Sequence, residues 1–290
     1  MSQHPTEPTR TAPFTLADLL ETGNVEPHAP LLRQPADDQP LYKIMKIANF
    51  VSSLEGSYLH FQRVDRYKDF PSADPHDGEQ PPTDRALNKG SAFERAPGFT
   101  VADYYDISRS RTYACSFSTD NAPLIWERYG TGDPVGKVGL EFNFAKLRRT
   151  LNATIGGVPG HAALIAGDSR YLQFFSINYG LVDYVDLVST QLTAEHLPNP
   201  IVYTFTKDAE RYAGEGELRV VLSAPGMGQF ARADGTMIEF RPSLQLAFDF
   251  RSALADGTIT RVLSENDEVA RHLERELGRL GVPRAPQGAP

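Results

Sequence analysis

The sequence predicts an α+β fold, a central mixed or antiparallel sheet flanked by helices, and three observations carry that reading. Strand-like and helix-like segments are interspersed without the regular βαβ rhythm of a doubly wound sheet. The segment KVGLEFNF (137–144) sets Val138, Leu140, Phe142 and Phe144 on one face and Gly139, Glu141 and Asn143 on the other. That is the period of a half-buried strand. Near the end, SENDEVARHLERELGRLG (264–281) spaces Val269, Leu273, Leu277 and Leu280 as one helical stripe,.

Residues 1–40 are rich in proline and polar side chains, with one short helical stretch in FTLADLLETG, and predict a disordered or loosely attached arm,. LYKIMKI (41–47) reads as the first strand. ANFVSSLEG reads as a short helix closed by Gly56, and YLHFQRV (58–64) as a second strand. KDFPSADPHDGEQPPTDRALNKG reads as a long polar loop,. Its Asp69, Asp74, Asp77, Glu79 and His76 do not follow the alternate-acid spacing of a calcium loop, which leaves a solvated loop.

RTYACSFST (111–119) reads as a strand with Thr112, Ala114, Ser116 and Ser118 on one side and Tyr113, Cys115 and Phe117 on the other,. DNAPLIWERYG reads as a helix capped by Asp120 or Asn121, with Pro123 in its first turn and Gly130 at its end. Trp126 and Tyr129 then share a face, either as core packing or as a stacking platform for a base. LVDYVDL (181–187) and ELRVVL (217–222) are further strands. The last helix starts at a Ser264 cap with Asp267 three residues on, and ends at Gly281 and Pro283,. One α+β domain over 41–282 follows, with 283–290 a flexible tail.

The chain has 290 residues, 40% hydrophobic and 23% charged, which places it among ordinary globular proteins,. A net charge of −8 argues against nucleic acid as a simple electrostatic partner,. The single Cys115 excludes an intramolecular disulfide framework,. The opening MSQHPTEPTRTAP lacks the basic start and apolar stretch of a signal peptide, and no segment reaches the ~20 apolar residues of a membrane span. A cytoplasmic protein without membrane contact is expected. The scattered histidines give no zinc constellation, so no metal is expected.

Two carboxylates stand out, Glu215 and Glu217, followed by Arg219 at the start of an apolar run. Carboxylates are poor strand formers. In a strand all three side chains line one face, with Leu218, Val220 and Leu222 in the core. That face is either a solvated one with weak ion pairs or a carboxylate held by Arg219 and aimed at a ligand.

These pieces occur in the order of one bacterial family. Leu41, Tyr42 and Lys43 on the opening strand, Ser116-Phe117-Ser118, Trp126 with Tyr129, the strand from Gly136 to Phe142, and Lys207 followed by Glu215, Glu217 and Arg219 resemble the domain-of-unknown-function family 2971 over about residues 41–282. Where members carry Phe-Asn-Asp-Pro, this chain has Phe70-Pro71 and then Ala73-Asp74-Pro75. More distantly, the hydroxyl-bearing strand and the later Glu-x-Glu are similar to ADP-ribosyltransferases of the Arg-Ser-Glu type. The expected arginine on the first strand is missing, and Lys43 is the nearest charge. That resemblance implies NAD as co-substrate, Glu217 as the catalytic carboxylate and Glu215 as its helper. Ser116, Ser118 and Thr119 would support the site, with Lys43, Trp126, Tyr129 and Arg219 contacting the nucleotide. The alternative expectation is a non-enzymatic binding or regulatory module with a protein partner in a bacterial interaction or defence system.

Overall fold

The computed structural model describes residues 25–70, 73–94, 97–156, 164–166, 169–170, 175–192, 200–224, 239–282 and 287–288. Strand β1 (Pro40–Lys46) leads into helix α1 (Ile47–Gly56) and β2 (Tyr58–Arg63). Helices α2 (Pro82–Lys89) and α3 (Val101–Arg109) precede β3 (Thr112–Ser118), α4 (Pro123–Arg128), β4 (Lys137–Asn143) and α5 (Phe144–Gly156). Short β5 (Leu164–Ala166) and β6 (Ser169–Arg170) are followed by β7 (Ser176–Leu181) and β8 (Asp183–Val185). Next come α6 (Ile201–Thr204), β9 (Thr206–Asp208), α7 (Ala209–Tyr212) and β10 (Glu217–Ser223). The chain closes with β11 (Ser243–Ala247), α8 (Phe250–Ala255), β12 (Ile259–Ser264), α9 (Asp267–Arg279) and β13 (Gln287–Gly288).

One large sheet joins most strands in the order β13-β12-β4-β1-β3-β2-β11-β5-β6, with β10 branching from β3 and β7 from β10. Its pairings are antiparallel except β12 with β13, and β8 pairs with β9 in a separate parallel ribbon. The arrangement is α+β, as the interspersed elements predict.

The sheet forks at β3. Along one edge β3 is paired through its whole length with β10, from Thr112 against Ser223 to Ser118 against Glu217. The other edge is shared by two strands. β1 takes the Ser118 end through Tyr42, while β2 takes the opposite end through Gln62 against Ala114 and Arg63 against Tyr113. Residues 115–117 between them pair with no strand on that edge among the described residues. The twist of successive strands drives β1 and β2 apart, and a gap opens between them.

Both faces of the central strands are covered. Tyr113, Cys115 and Phe117 of β3 and Leu218, Val220 and Leu222 of β10 join the main core with Val138, Leu140 and Phe142 of β4 and Val269, Leu273 and Leu277 of α9. On the opposite face Ala114 and Val221 pack with Leu32, Val64, Ile201, Val202 and Phe205. Arg219 lies on this second face beside Gly180 of β7. A Cβ on Gly180 would sit 3.0 Å from the Phe205 ring, so glycine is what lets that layer close down,.

Several boundaries differ from the sequence reading. Residues 25–39 are not a loose arm. Val25 bridges to Ile177, Leu32 is buried, and Gln34 donates to the Tyr179 carbonyl at 2.8 Å. Glu26 accepts from Arg148 Nε at 2.7 Å and Asn152 Nδ2 at 2.6 Å. Polar contacts to partners far along the chain hold this strap, and composition does not register them. FTLADLLETG and, within the expected flexible tail at 283–290, residues 283–286 and 289–290 lie outside the described residues, while Gln287–Gly288 of that tail form β13 and pair with β12.

The polar loop at 68–90 contains α2, with Asp84 and Asn88 buried. Helix α4 begins at Pro123, with Ala122 at its N-cap and no side-chain cap from Asp120 or Asn121, and ends at Arg128, leaving Tyr129 extended. Helix α9 is capped by Asn266, whose Oδ1 accepts from the Glu268 and Val269 amides at 3.0 Å, because Ser264 belongs to β12. Helix α1 includes Gly56 and is terminated by Ser57 in the left-handed region at φ 51°.

Candidate functional site

The gap in the fork is the mouth of a cleft of about 370 Å³. β1 contributes Tyr42 and Lys43, β2 His60 and Gln62, β3 Ser116 and Ser118, and β10 Glu217 and Arg219. Lys43 sits across the fork: its Nζ donates to the Ser116 carbonyl at 3.0 Å and stands 5.0 Å from the Phe117 ring centre. An ammonium thus satisfies a backbone acceptor that the missing strand neighbour leaves open.

The cleft floor is a chain of alternating charges. Asp77 accepts from both terminal nitrogens of Arg219, at 2.6 and 2.5 Å. Arg219 turns its Nε to Glu217 at 2.7 Å and also donates to the Thr204 carbonyl at 2.5 Å. Lys207 lies between the glutamates, 2.8 Å from Glu217 and 2.9 Å from Glu215, and Arg128 approaches Glu215 at 2.9 Å. Arg219 is 0% exposed, Asp77 1% and Glu217 5%. Burying charges this deeply is tolerated only because each has a partner of opposite sign.

Those partners set the protonation states. Burial alone would lift the Glu217 carboxyl, but Arg219 and Lys207 outweigh it and hold the group far below the ordinary carboxylate range. Burial lifts the Asp77 carboxyl, an effect that Arg219 partly offsets. Tyr184, whose hydroxyl oxygen accepts from the Glu217 amide at 2.8 Å, is pushed up to about 12 by burial and by the Glu217 charge. Tyr129 rises for the same two reasons. At neutral pH the cleft therefore presents an ionised Glu217 beside neutral phenols.

The sequence candidates divide into three groups. Lys43, Ser116, Ser118, Tyr129, Glu215, Glu217 and Arg219 all line the one cleft. Thr119 supports it from behind: its Oγ1 donates to the Gly216 carbonyl at 2.9 Å. Ser118 likewise donates to the Glu215 carbonyl at 2.8 Å, so the two hydroxyls clamp the turn that delivers both carboxylates. Trp126 faces elsewhere, with Nε1 on Asn121 at 2.7 Å and its ring against Gly139. With α4 ending at Arg128, Trp126 and Tyr129 do not share a helical face.

The reading of Glu215, Glu217 and Arg219 as alternate residues of one strand is also corrected. Glu215 closes a 3₁₀ turn (Ala213–Glu215), Gly216 adopts φ 52°, and β10 starts only at Glu217. None of the three faces solvent, because Thr204 and the 74–77 turn cover that side. Sequence reasoning passed over Asp74 and Asp77 as members of a solvated loop, and both are buried against the cleft. Lys207 had one signal, its place ahead of the Glu-x-Glu block. Arg128 and Tyr184 had none.

Among the described residues no group of three His, Cys, Asp or Glu side chains could hold a metal ion, and no helix is long and apolar enough to cross a membrane. No protein-family model matches the chain, and no curated protein matches it. The likeness to the domain-of-unknown-function family 2971 therefore rests on its motifs alone. Among solved structures the chain is similar to Thermus sp. 2.9 DarT in complex with carba-NAD+, at 11% identity, over 88% of this chain and 96% of that one, with a TM-score of 0.31. The same protein in complex with ADP-ribosylated ssDNA aligns at 12% identity over 88% and 95%, with a TM-score of 0.32. Likeness at this level carries no argument about activity.

Proposed function

We propose that the chain is an ADP-ribosyltransferase-like enzyme that uses NAD, with Glu217 as the carboxylate facing the reacting sugar. One observation carries this reading. The forked sheet brings a first-strand cation (Lys43), the hydroxyls of β3 (Ser116 and Ser118) and an ionised β10 carboxylate (Glu217) into one cleft of a size that suits a small ligand,. A carboxylate held ionised by two cations is a poor proton acceptor. It is suited to lie beside positive charge developing on a ribose as its bond to nicotinamide breaks. Glu215 helps by holding Lys207 from the far side, and Ser118 with Thr119 fixes the turn on which both glutamates sit. The binding-module alternative fits a surface without a cleft at β10, and a cleft is present there.

The test is NAD consumption by the wild type and by Glu217→Gln. The amide keeps the shape and removes the charge, so turnover should fall by about 10² to 10³. Wild-type protein that neither binds nor consumes NAD would refute the proposal.

A further inference from the structure

Four acids line the cleft, and three of them are ion-paired: Asp77 to Arg219, Glu217 to Arg219 and Lys207, and Glu215 to Lys207 and Arg128. Asp74 is the exception. It is 6% exposed and lines the same cleft, yet among the described residues no cationic nitrogen lies within ion-pairing distance of its carboxylate. One oxygen accepts the His76 amide at 2.9 Å, the local bond of a turn. A buried carboxylate without a cation is costly unless something else satisfies it. Its position is well fixed. The Asp77 amide donates to the Asp74 carbonyl at 3.2 Å, and Arg109 staples the turn through the Pro75 and Asp77 carbonyls at 3.1 and 2.7 Å. Because Asp77 grips Arg219, the turn holds Asp74 in a set relation to Glu217 across the floor of the cleft.

We infer that Asp74 is the general base for the acceptor, which rests on the NAD-using reading above. Glu217 cannot take that role, since two cations hold its charge. In the step considered, the bond between ribose C1′ and the nicotinamide nitrogen breaks, and its electron pair leaves with neutral nicotinamide. The acceptor, a hydroxyl- or amine-bearing group or water, forms the new bond to C1′. Its proton passes to the Asp74 carboxylate and from there to solvent. No further reactant is needed. The two carboxylates thus divide the work, Glu217 facing the sugar cation and Asp74 the incoming nucleophile.

The experiment uses the full chain with NAD as probe and water as acceptor. Asp74→Asn should lower turnover by about 10² to 10⁴, the usual worth of a positioned base, while NAD affinity stays within about twofold (less than ~0.5 kcal/mol). Asp74→Ala should regain part of its rate when formate is added, whereas Glu217→Ala should not. Rescue of that kind is something a merely structural role would not show. Asp74→Glu, which keeps the carboxylate, should be intermediate and covers the case in which the amide variant fails to fold. Turnover of Asp74→Asn within about threefold of wild type (~0.6 kcal/mol), or turnover of Asp74→Glu no better than that of Asp74→Ala, overturns the inference. So does a loss matched by lost NAD binding, or the absence of formate rescue. Each of these leaves Glu217 standing. Wild type that does not consume NAD removes the inference and the proposed function together.

Discussion

Replacing Arg219 by methionine is the most direct probe of the charged floor. The substitution roughly keeps the side-chain length but strips Asp77 of its cationic partner, along with one of the two that Glu217 has. Asp77 is 1% exposed and cannot recover water without opening the 74–77 turn. Breaking a buried pair by removing one member typically costs about 3–5 kcal/mol, a large share of the roughly 5–15 kcal/mol that holds a domain folded. Chemical denaturation at neutral pH should therefore show a loss of about 3 kcal/mol or more. The pH dependence has a definite sign. In the variant the folded Asp77 carboxyl rises further above its unfolded value of about 3.9, so the folded state binds the extra proton and the variant gains relative stability as pH falls. In the wild type Glu217 is depressed, so its contribution is complete above the unfolded value of about 4.3 and drains away below it,. The gap between the two proteins should accordingly narrow from pH 7 towards pH 4. A loss under about 1 kcal/mol, or one that does not shrink on acidification, would refute the description of a buried, interdependent charge chain.

Two other outcomes follow from the packing. Leu273→Asp places an unpaired charge in the seam between α9 and the main core and should cost several kcal/mol, with a melting temperature lower by about 10 °C or more,. A chain beginning at Pro40 should be less stable than one beginning at Val25 by about 2–4 kcal/mol, since it loses buried Leu32 and the contacts of Glu26 with Arg148 and Asn152,. Equal melting temperatures for those two chains would show that the strap adds nothing.

What the sequence could determine by itself was local. KVGLEFNF and RTYACSFST declare their buried faces, because side-chain alternation is a property of a single extended backbone. Val138, Leu140 and Phe142, like Tyr113, Cys115 and Phe117, sit in the core accordingly. The stripe of α9 was legible for the same reason, although its cap was not: Ser264 and Asn266 are both competent, and pairing of β12 with β4 claims the serine. Glu215 and Glu217 were conspicuous as residues out of place in an apolar run. Only the tertiary structure decided what they touch. Arg219 meets Asp77 across 142 positions of sequence, and no periodicity encodes that meeting. The fork at β3 arises from two strands competing for one edge, which neither strand's residues reveal. Nor does a sequence show that Ile201–Phe205 and the 74–77 turn will cover the outer face of β10. That cover excludes water, and without water a solvated row of charges becomes a fixed, partner-dependent electrostatic floor with one carboxylate, Asp74, left for a ligand.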